Sequence, residues 1–391
     1  MRKLMVLATI LSLVTGCMSL IMPNHDNLKL VEDFRPDPNF GNGQAQVMLA
    51  KPYTAKDIGR LPGVVWLEMV VGPKSKMTGD ASGFMVEFSG KPHILSAGHI
   101  CRGFEYKAIY AYFSEGQKRP EEVEIVAADE KLDLALLRFK NPKFSYSAYP
   151  RLGQSKNIRK GDKVFPFGNP FGYEFLVREG VICKTDFGLN YAEVTQPQII
   201  MHDATINPGD SGGPLFNELG EVIGMNVMGF HPGMRRDITT IYGATPIDDI
   251  VTVLRRMQKS GYAEHAYIGW KLLRTNELNP LNYADLNMPE PKRSGLMIYI
   301  LEPGGPAAKA GLKVGDILLL YDGSRPENYN DLAREVMFHQ SPGDRVNLRV
   351  YRETHWVEDR IFRNADGNLE IAHDKKEKCE ELEFNVILEK R

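Results

Sequence analysis

The sequence predicts a mainly β protein built as two successive units, and three observations carry that reading. Short apolar runs recur through the first two thirds of the chain, each closed off by Gly, Pro, Asn or Asp, as a fold of many short strands requires. No sustained helical period appears until about 246–258, and the turn-rich pattern resumes beyond it with a fresh set of apolar runs. At 391 residues, 43% of them hydrophobic, the chain is long enough for two domains with proper cores. A formal charge of −2, from 48 basic and 50 acidic side chains interspersed along the sequence, leaves no electrostatic footprint for nucleic acid.

The N-terminus comes first. Met1-Arg2-Lys3 precedes the apolar run Leu4–Val14, a basic start and short apolar core of the secretory-signal type, too short to span a bilayer. The run closes as Val-Thr-Gly-Cys at 14–17, which resembles a bacterial lipobox and implies cleavage before Cys17 and acylation of that cysteine. An ordinary signal peptide with an incidental cysteine is the plain alternative. Residues 1–16 are thus read as a signal peptide of lipoprotein type, and Met18 is no aspartate-type retention signal, which suits an outer-membrane anchor where the source has two membranes. Residues 17–50, rich in Pro, Asn and Gly, read as a tether, with Phe34 and Phe40 available to dock on a neighbour.

Residues 51–258 form the first unit, and its most informative stretch is Ile-Asn-Pro-Gly-Asp-Ser-Gly-Gly-Pro-Leu-Phe at 206–216. Glycines flanking a serine allow a turn tight enough to aim successive N–H groups into one cavity beside the hydroxyl. That combination supplies a nucleophile and an oxyanion hole in one loop, as acyl transfer to serine requires. A histidine and a carboxylate lie upstream: His99 closes the apolar run 93–100, and Asp133 heads the apolar run 134–139. Each falls at a strand end, where a rigid scaffold can aim it, and the order His, Asp, Ser is the chymotrypsin order rather than that of α/β-hydrolases.

Residues 80–258 resemble the protease domain of the HtrA/Deg family of serine proteases. The resemblance is carried by Ser-Gly-Phe (82–84), Leu-Ser-Ala-Gly-His (95–99), Leu-Asp-Leu-Ala-Leu-Leu (132–137) and Phe-Gly-Asn-Pro-Phe-Gly (167–172). Asp-Ala-Thr-Ile-Asn-Pro-Gly-Asp-Ser-Gly-Gly-Pro-Leu (203–215) and Gly-Glu-Val-Ile-Gly-Met-Asn (220–226) complete it, in family order. The resemblance implies a chymotrypsin-like fold of two antiparallel β-barrels with the site between them, and a serine endopeptidase activity. In that scheme Ser211 attacks the scissile carbonyl, His99 carries its proton and Asp133 holds the imidazole. The oxyanion hole, Gly209, Asp210 and Ser211, offers the N–H groups of its first and last residues, each worth about 3 kcal/mol to the transition state.

Two departures from the family bear on the site. The residue before the nucleophile is commonly Asn there and is Asp210 here, as in chymotrypsin-like enzymes that pair it with a freed N-terminus. Two readings of Asp210 are open: a partner among lysine, arginine or backbone amides, or a solvated loop carboxylate. The second departure is Cys101, which has no upstream cysteine nearer than Cys17 to bridge with. Cys101, Cys183 and Cys379 are the thiols left in the mature chain, and no bridge is expected among them. No paired Cys/His spacing of the zinc type appears, so neither metal nor cofactor is expected.

For specificity, Thr205 lies six residues before Ser211, where a trypsin-like enzyme wants a carboxylate. With Ile206, Asn226, Val227 and Met228 it suggests a small or medium apolar pocket, and cleavage after Val, Ala or Ile.

Residues 263–352 resemble a bacterial PDZ domain, through Tyr-Ile-Gly-Trp (267–270), Pro-Gly-Gly-Pro-Ala-Ala-Lys-Ala-Gly-Leu-Lys-Val-Gly-Asp-Ile-Leu (303–318) and Pro-Gly-Asp-Arg-Val-Asn-Leu-Arg-Val (342–350). Asp331–Phe338 reads as an amphipathic helix between the last two. The resemblance implies that Tyr267, Ile268, Gly269 and Trp270 meet a peptide's C-terminal carboxylate, with the strand from Trp270 pairing to the peptide. Residues 353–391, with Lys-Lys-Glu-Lys-Cys-Glu-Glu-Leu-Glu at 375–383, read as a charged, solvated extension. The partners implied are unfolded or misfolded protein substrates, C-terminal peptides, a membrane reached through the lipid, and two further copies of the chain in a homotrimer. The expected location is the periplasmic side of a bacterial cell envelope. An alternative from another class is a proteolytically locked chaperone or scaffold acting through its PDZ unit, with Asp210 distorting the oxyanion loop.

Overall fold

Six antiparallel strands close the first barrel of the computed structural model, in the order β1-β2-β3-β6-β5-β4. They are β1 (Val64–Val71), β2 (Thr78–Phe88), β3 (Lys91–Ala97), β4 (Tyr106–Phe113), β5 (Glu121–Asp129) and β6 (Leu134–Phe139). The structure describes residues 58–71, 78–101, 106–114, 119–129, 131–172, 175–191, 194–230, 241–260, 263–275, 295–326, 328–363 and 369–390. The expected signal peptide, the expected acylation site Cys17 and the expected tether lie outside these residues.

The apolar runs become strands covered on both faces. Leu134, Ala135, Leu136 and Leu137 are all fully buried, a continuous run rather than an alternating one. Burying a leucine fully contributes about 1.5–3 kcal/mol, which fixes the strand ends rigidly. Ala97 at the end of β3 pairs with Leu134 at the start of β6. His99 and Asp133, each just beyond those residues, therefore emerge at the same end of two adjacent strands.

The second barrel uses β8 (Lys163–Gly168), β10 (Gly180–Tyr191), β11 (Val194–His202), β12 (Pro214–Asn217), β13 (Glu221–Phe230) and β14 (Ile241–Pro246). The sheet order β10-β11-β14-β13-β12-β8 closes through a β8–β10 pairing at Gly180↔Val164 and Val181↔Lys163. Two short strands, β7 (Arg151–Leu152) and β9 (Leu176–Val177), join its edges at β13 and β8. Its interior holds Val164, Ile182, Ile200, Ala204, Leu215, Ile223 and Ala244. The register of β13 against β14 shifts between Asn226 and Met228, a local bend of the kind that re-aims residues beside active sites.

Helix α1 (Ile247–Ser260) follows, where the helical period was expected. It buries Ile247, Ile250, Val253, Leu254 and Met257, one stripe at helical spacing, and places Asp248 and Asp249 in its first turn, where the helix dipole favours negative charge.

The chain divides into two compact units after Ala263. The second contains β15 (Ala266–Tyr267), β16 (Trp270–Arg274), β17 (Leu296–Leu301), α2 (Pro306–Lys309), β18 (Ile317–Tyr321) and α3 (Tyr329–Arg334). It ends with β19 (Arg345–Arg363), β20 (Leu369–Ile387) and β21 (Glu389–Lys390). The sheet order is β16-β17-β18-β19-β20, with β15 paired to β21. Asn328 caps α3 by accepting from the Asp331 amide at 2.9 Å, and the helix continues as one wide turn over Glu335–His339, so the amphipathic element expected at 331–338 is present.

The solvated extension expected at 353–391 is not what forms. β20 pairs with β19 in unbroken register from Arg345↔Ile387 to Arg363↔Leu369, and Val386 and Leu388 lie in the core with Val346, Leu348 and Val350. The charges concealed a period of two: Leu382, Phe384, Val386 and Leu388 pack inward, while Glu381 and Glu383 stand out on an edge strand, where charge guards against aggregation. Arg352 locks the hairpin down, donating to both oxygens of the buried Asp316 at 2.6 and 2.7 Å and to the Gly311 carbonyl at 3.0 Å.

Candidate active site

One carboxylate organises the acid–base corner. The Asp133 Oδ2 atom meets His99 Nδ1 at 2.7 Å, and its Oδ1 accepts the His99 backbone N–H at 2.6 Å. The Asp133 carbonyl accepts the Gly98 N–H at 2.7 Å, so ring and main chain of the histidine segment are held by a single residue. Asp133 sits at φ 52°, a left-handed conformation that Asp tolerates better than most residues and that marks a functional constraint. Its side chain is 10% exposed and that of His99 36%. The preceding turn is tied by the Leu132 N–H to Asp129 Oδ1 at 2.8 Å, and Thr245 of β14 donates to the Leu132 carbonyl at 3.2 Å, joining the second barrel to this corner.

Ser211 is brought to the first barrel by its main chain. Its carbonyl accepts the Ser82 N–H of β2 at 2.9 Å, and Ser96, three residues before His99, donates its hydroxyl to the Ser82 carbonyl at 2.7 Å. The loop around Ser211 is closed by Asp210 N–H to Asn207 O at 2.9 Å, Gly212 N–H to Asn226 O at 2.8 Å and Gly213 N–H to Asp210 O at 2.9 Å. The N–H groups of Gly209 and Ser211 take part in none of these bonds. Two donors two residues apart beside the serine hydroxyl are what an oxyanion hole needs.

The carbonyls that flank those donors are turned away. Pro208 O accepts the Phe171 N–H at 3.0 Å and Gly209 O accepts the Ser82 hydroxyl at 2.7 Å. Gly209 holds φ 103°, and a Cβ there would lie 2.4 Å from the Asn169 carbonyl, so only glycine fits. Asn169 is fully buried, donates its N–H to Ser82 Oγ at 2.9 Å and receives the Phe175 N–H on its side-chain oxygen at 2.7 Å. Ser82 and Asn169 belong to motifs noticed in the sequence, but their role as struts of the loop shows only in three dimensions.

Asp210 is not a solvated loop residue; it is fully buried. Its Oδ2 accepts the Asn207 N–H at 2.7 Å and its Oδ1 lies 2.7 Å from the Arg178 Nη2. Burial pushes the Asp210 carboxyl up from its ordinary value, and the Arg178 charge and the Asn207 amide pull it back. Arg178 was missed: the Val-Arg-Glu-Gly in which it sits carries no chemical signature.

Among the pocket residues expected, Ile206 and Val227 are buried and Thr205 is exposed. Asn226 is fully buried and donates its side-chain amide to the Pro214 carbonyl at 3.2 Å, acting as a strut between β12 and β13. The Met228 side chain lies outside the described residues. Beneath them His202, also missed, is fully buried against Tyr242 with ring centroids 6.1 Å apart, and burial lowers its pKa from 6.5 to about 4.

In the second unit, Tyr267, Ile268, Gly269 and Trp270 span the link from β15 to β16. Ile268 is buried and its carbonyl accepts the Ala307 N–H at 2.9 Å, and Gly269 O accepts the Glu302 N–H at 2.8 Å. Among the described residues β16 ends the sheet, which suits pairing with an added strand.

Residues 81–225 match the trypsin-like peptidase domain family and residues 273–361 the PDZ domain family. The chain is 28% identical over 285 residues to the "Serine protease Do-like HtrA" of Lactobacillus helveticus, covering 72% of this chain and 66% of that protein. It is 32% identical over 254 residues to the "Putative serine protease HhoA" of Synechocystis sp., covering 64% and 61%. It is 30% identical over 276 residues to the "Probable periplasmic serine endoprotease DegP-like" of Brucella suis, covering 70% and 50%. The chain thus spans from half to just under two thirds of the length of these relatives. Among solved structures, "HtrA-type protease AlgW with tripeptide" is similar in fold, with a TM-score of 0.63, 24% identity, and coverage of 86% of this chain and 97% of that one. A trypsin-like peptidase domain followed by a PDZ domain is thus present, and the chain is similar to serine proteases of the HtrA/Deg family.

Proposed function

We propose that this chain is a serine endopeptidase of the bacterial cell envelope, acting on unfolded or misfolded proteins and taking exposed C-termini at its PDZ unit. The observation that carries the reading is His99 held at 2.7 Å by Asp133 on one barrel, together with a serine loop on the other whose Gly209 and Ser211 N–H groups remain available. With Nδ1 fixed by Asp133, the other ring nitrogen is the one left to take the proton of Ser211 as it attacks the scissile carbonyl. Asp133 then stabilises the imidazolium, and the two N–H groups receive the developing oxyanion. His99 returns the proton to the leaving amine, and a water repeats the sequence to release the acyl group.

The feature that would favour the locked-scaffold alternative is Asp210 distorting the oxyanion loop; a buried contact with Arg178 supports the protease reading by giving that carboxylate a partner. A specificity pocket lined by Ile206 and Val227, both buried, would suit cleavage after Val, Ala or Ile. Acylation at Cys17 would tether the enzyme on the periplasmic side, in keeping with relatives named as periplasmic, and the working assembly would be a trimer.

Digestion of unfolded casein by wild type and Ser211→Ala tests the reading. Loss of the nucleophile is expected to lower kcat by on the order of a millionfold. Casein cleavage undiminished by the substitution would sink it.

A further inference from the structure

We propose that Arg178 is a positioning residue of the oxyanion hole: its guanidinium is the internal counter-charge that keeps Asp210 buried as an anion, and so keeps the Gly209 and Ser211 N–H groups aimed at the reacting carbonyl. The inference rests on the hydrolase reading above.

Asp210 stands in the chain between the two hole donors, while its side chain turns into the interior. Each carboxylate oxygen has a separate task. Oδ2 takes the Asn207 N–H and closes the turn that presents Gly209. Arg178 stands against Oδ1 at 2.7 Å. A buried carboxylate with no counter-charge is among the most destabilising arrangements a core can hold.

Arg178 is built to supply that charge. Its N–H donates to the Pro166 carbonyl of β8 at 3.2 Å, and pairings of β8 with Val177 on one side and Gly180 on the other fix its backbone. Its side chain is only 20% exposed, against 53% for Lys163 and 58% for Lys309 in surface pairs. The approach is kept open by Gly168, where a Cβ would lie 2.5 Å from Asp210 Oδ1. At 2.7 Å and buried, Arg178 holds the Asp210 carboxylate through its charge and its side-chain hydrogen bond together. A neutral residue at either position alone leaves a stranded charge, whereas a neutral pair leaves none.

The test uses the full chain and four variants: Arg178→Met, Arg178→Lys, Asp210→Asn and the double Arg178→Met/Asp210→Asn. Rates of alkyl fluorophosphonate labelling, and kcat and KM on a p-nitroanilide peptide with valine before the scissile bond, are measured alongside thermal melting. Arg178→Met is expected to lower labelling and kcat by about 100-fold, the loss typical of one missing oxyanion donor, with KM nearly unmoved. Arg178→Lys recovers part of the loss, and the double variant returns to within about tenfold of wild type. Wild-type kcat in Arg178→Met, or a double variant no better than Arg178→Met, overturns the proposal. If Arg178→Met does not fold, the double variant is compared with Asp210→Asn: a faster double supports the pairing and a slower or equal one overturns it. A wild type that never labels overturns the hydrolase reading itself, a failure distinct from that of Arg178.

Discussion

The first barrel delivers its two functional side chains from the ends of regular strands, whereas the second delivers its own from an irregular loop. β3 and β6 are packed with fully buried leucine and alanine, and their register brings His99 beside Asp133, where a few hydrogen bonds hold the pair. The loop at 206–213 has no ladder to lean on. It is braced instead by buried polar groups, among them Asn169, Asp210 and Asn226, all fully buried. At the strand ends apolar packing brings the side chains together and a few hydrogen bonds fix them. Aiming backbone N–H groups takes polar struts, since each neighbouring carbonyl must be turned elsewhere and satisfied.

The largest expected effect probes the strand-end corner. Asp133→Asn leaves the packing of β3 and β6 intact yet loses the correct imidazole tautomer, and kcat is expected to fall by about 10⁴-fold with melting unchanged. A fall in melting temperature in parallel with kcat would show that the corner depends on polar bracing after all. Next, Ser82→Ala removes one hydroxyl that serves both Gly209 O and Asn169 N–H. It is expected to lower stability by about 1–3 kcal/mol and kcat by about tenfold, because two buried groups lose their partner. Stability and kcat both at wild-type levels would remove the strut from the account.

The smallest effect is a pH dependence of stability. His202 is held neutral by burial, with a pKa lowered from 6.5 to about 4, the Ala204 backbone and the Asn226 side chain only partly offsetting it. Between those values the unfolded chain binds a proton that the folded chain refuses. Stability from this group is therefore complete above pH 6.5 and declines as pH falls toward 4, by up to about 1.4 kcal/mol per pH unit. Urea unfolding at pH 7.5, 6 and 5 reads the slope. His93 of the first barrel is shifted the same way, again chiefly by burial, so His202→Asn should remove only part of it. An unaltered slope in that variant would mean that His202 does not refuse the proton.

What could be read beforehand follows the same division. The triad positions were legible because strand ends announce themselves: an apolar run, then small residues, then His99; a turn, then Asp133, then an apolar run. The glycines and proline around Ser211 were legible because tight turns admit few residues. Arg178 and His202 were not, since their roles depend on which loop and which strand fold over them, and neither has a local pattern. The C-terminal strand was misread for a different reason. Lysines and glutamates between 375 and 383 outweighed the alternation of Leu382, Phe384, Val386 and Leu388, though charge on the outer face of an edge strand is how sheets protect their margins.

That last strand also bears on how the molecule is born. Both barrels and α1 are complete by residue 260, while β20 begins about a hundred residues later and β21 must return to pair with β15. At roughly 5–20 residues per second, translation separates those events by about 5–20 s. During that interval the barrels can close around His99, Asp133 and Ser211 while the PDZ sheet still lacks its edge and part of its core. As the chain emerges N-terminus first, the two barrels can form before the PDZ sheet is complete.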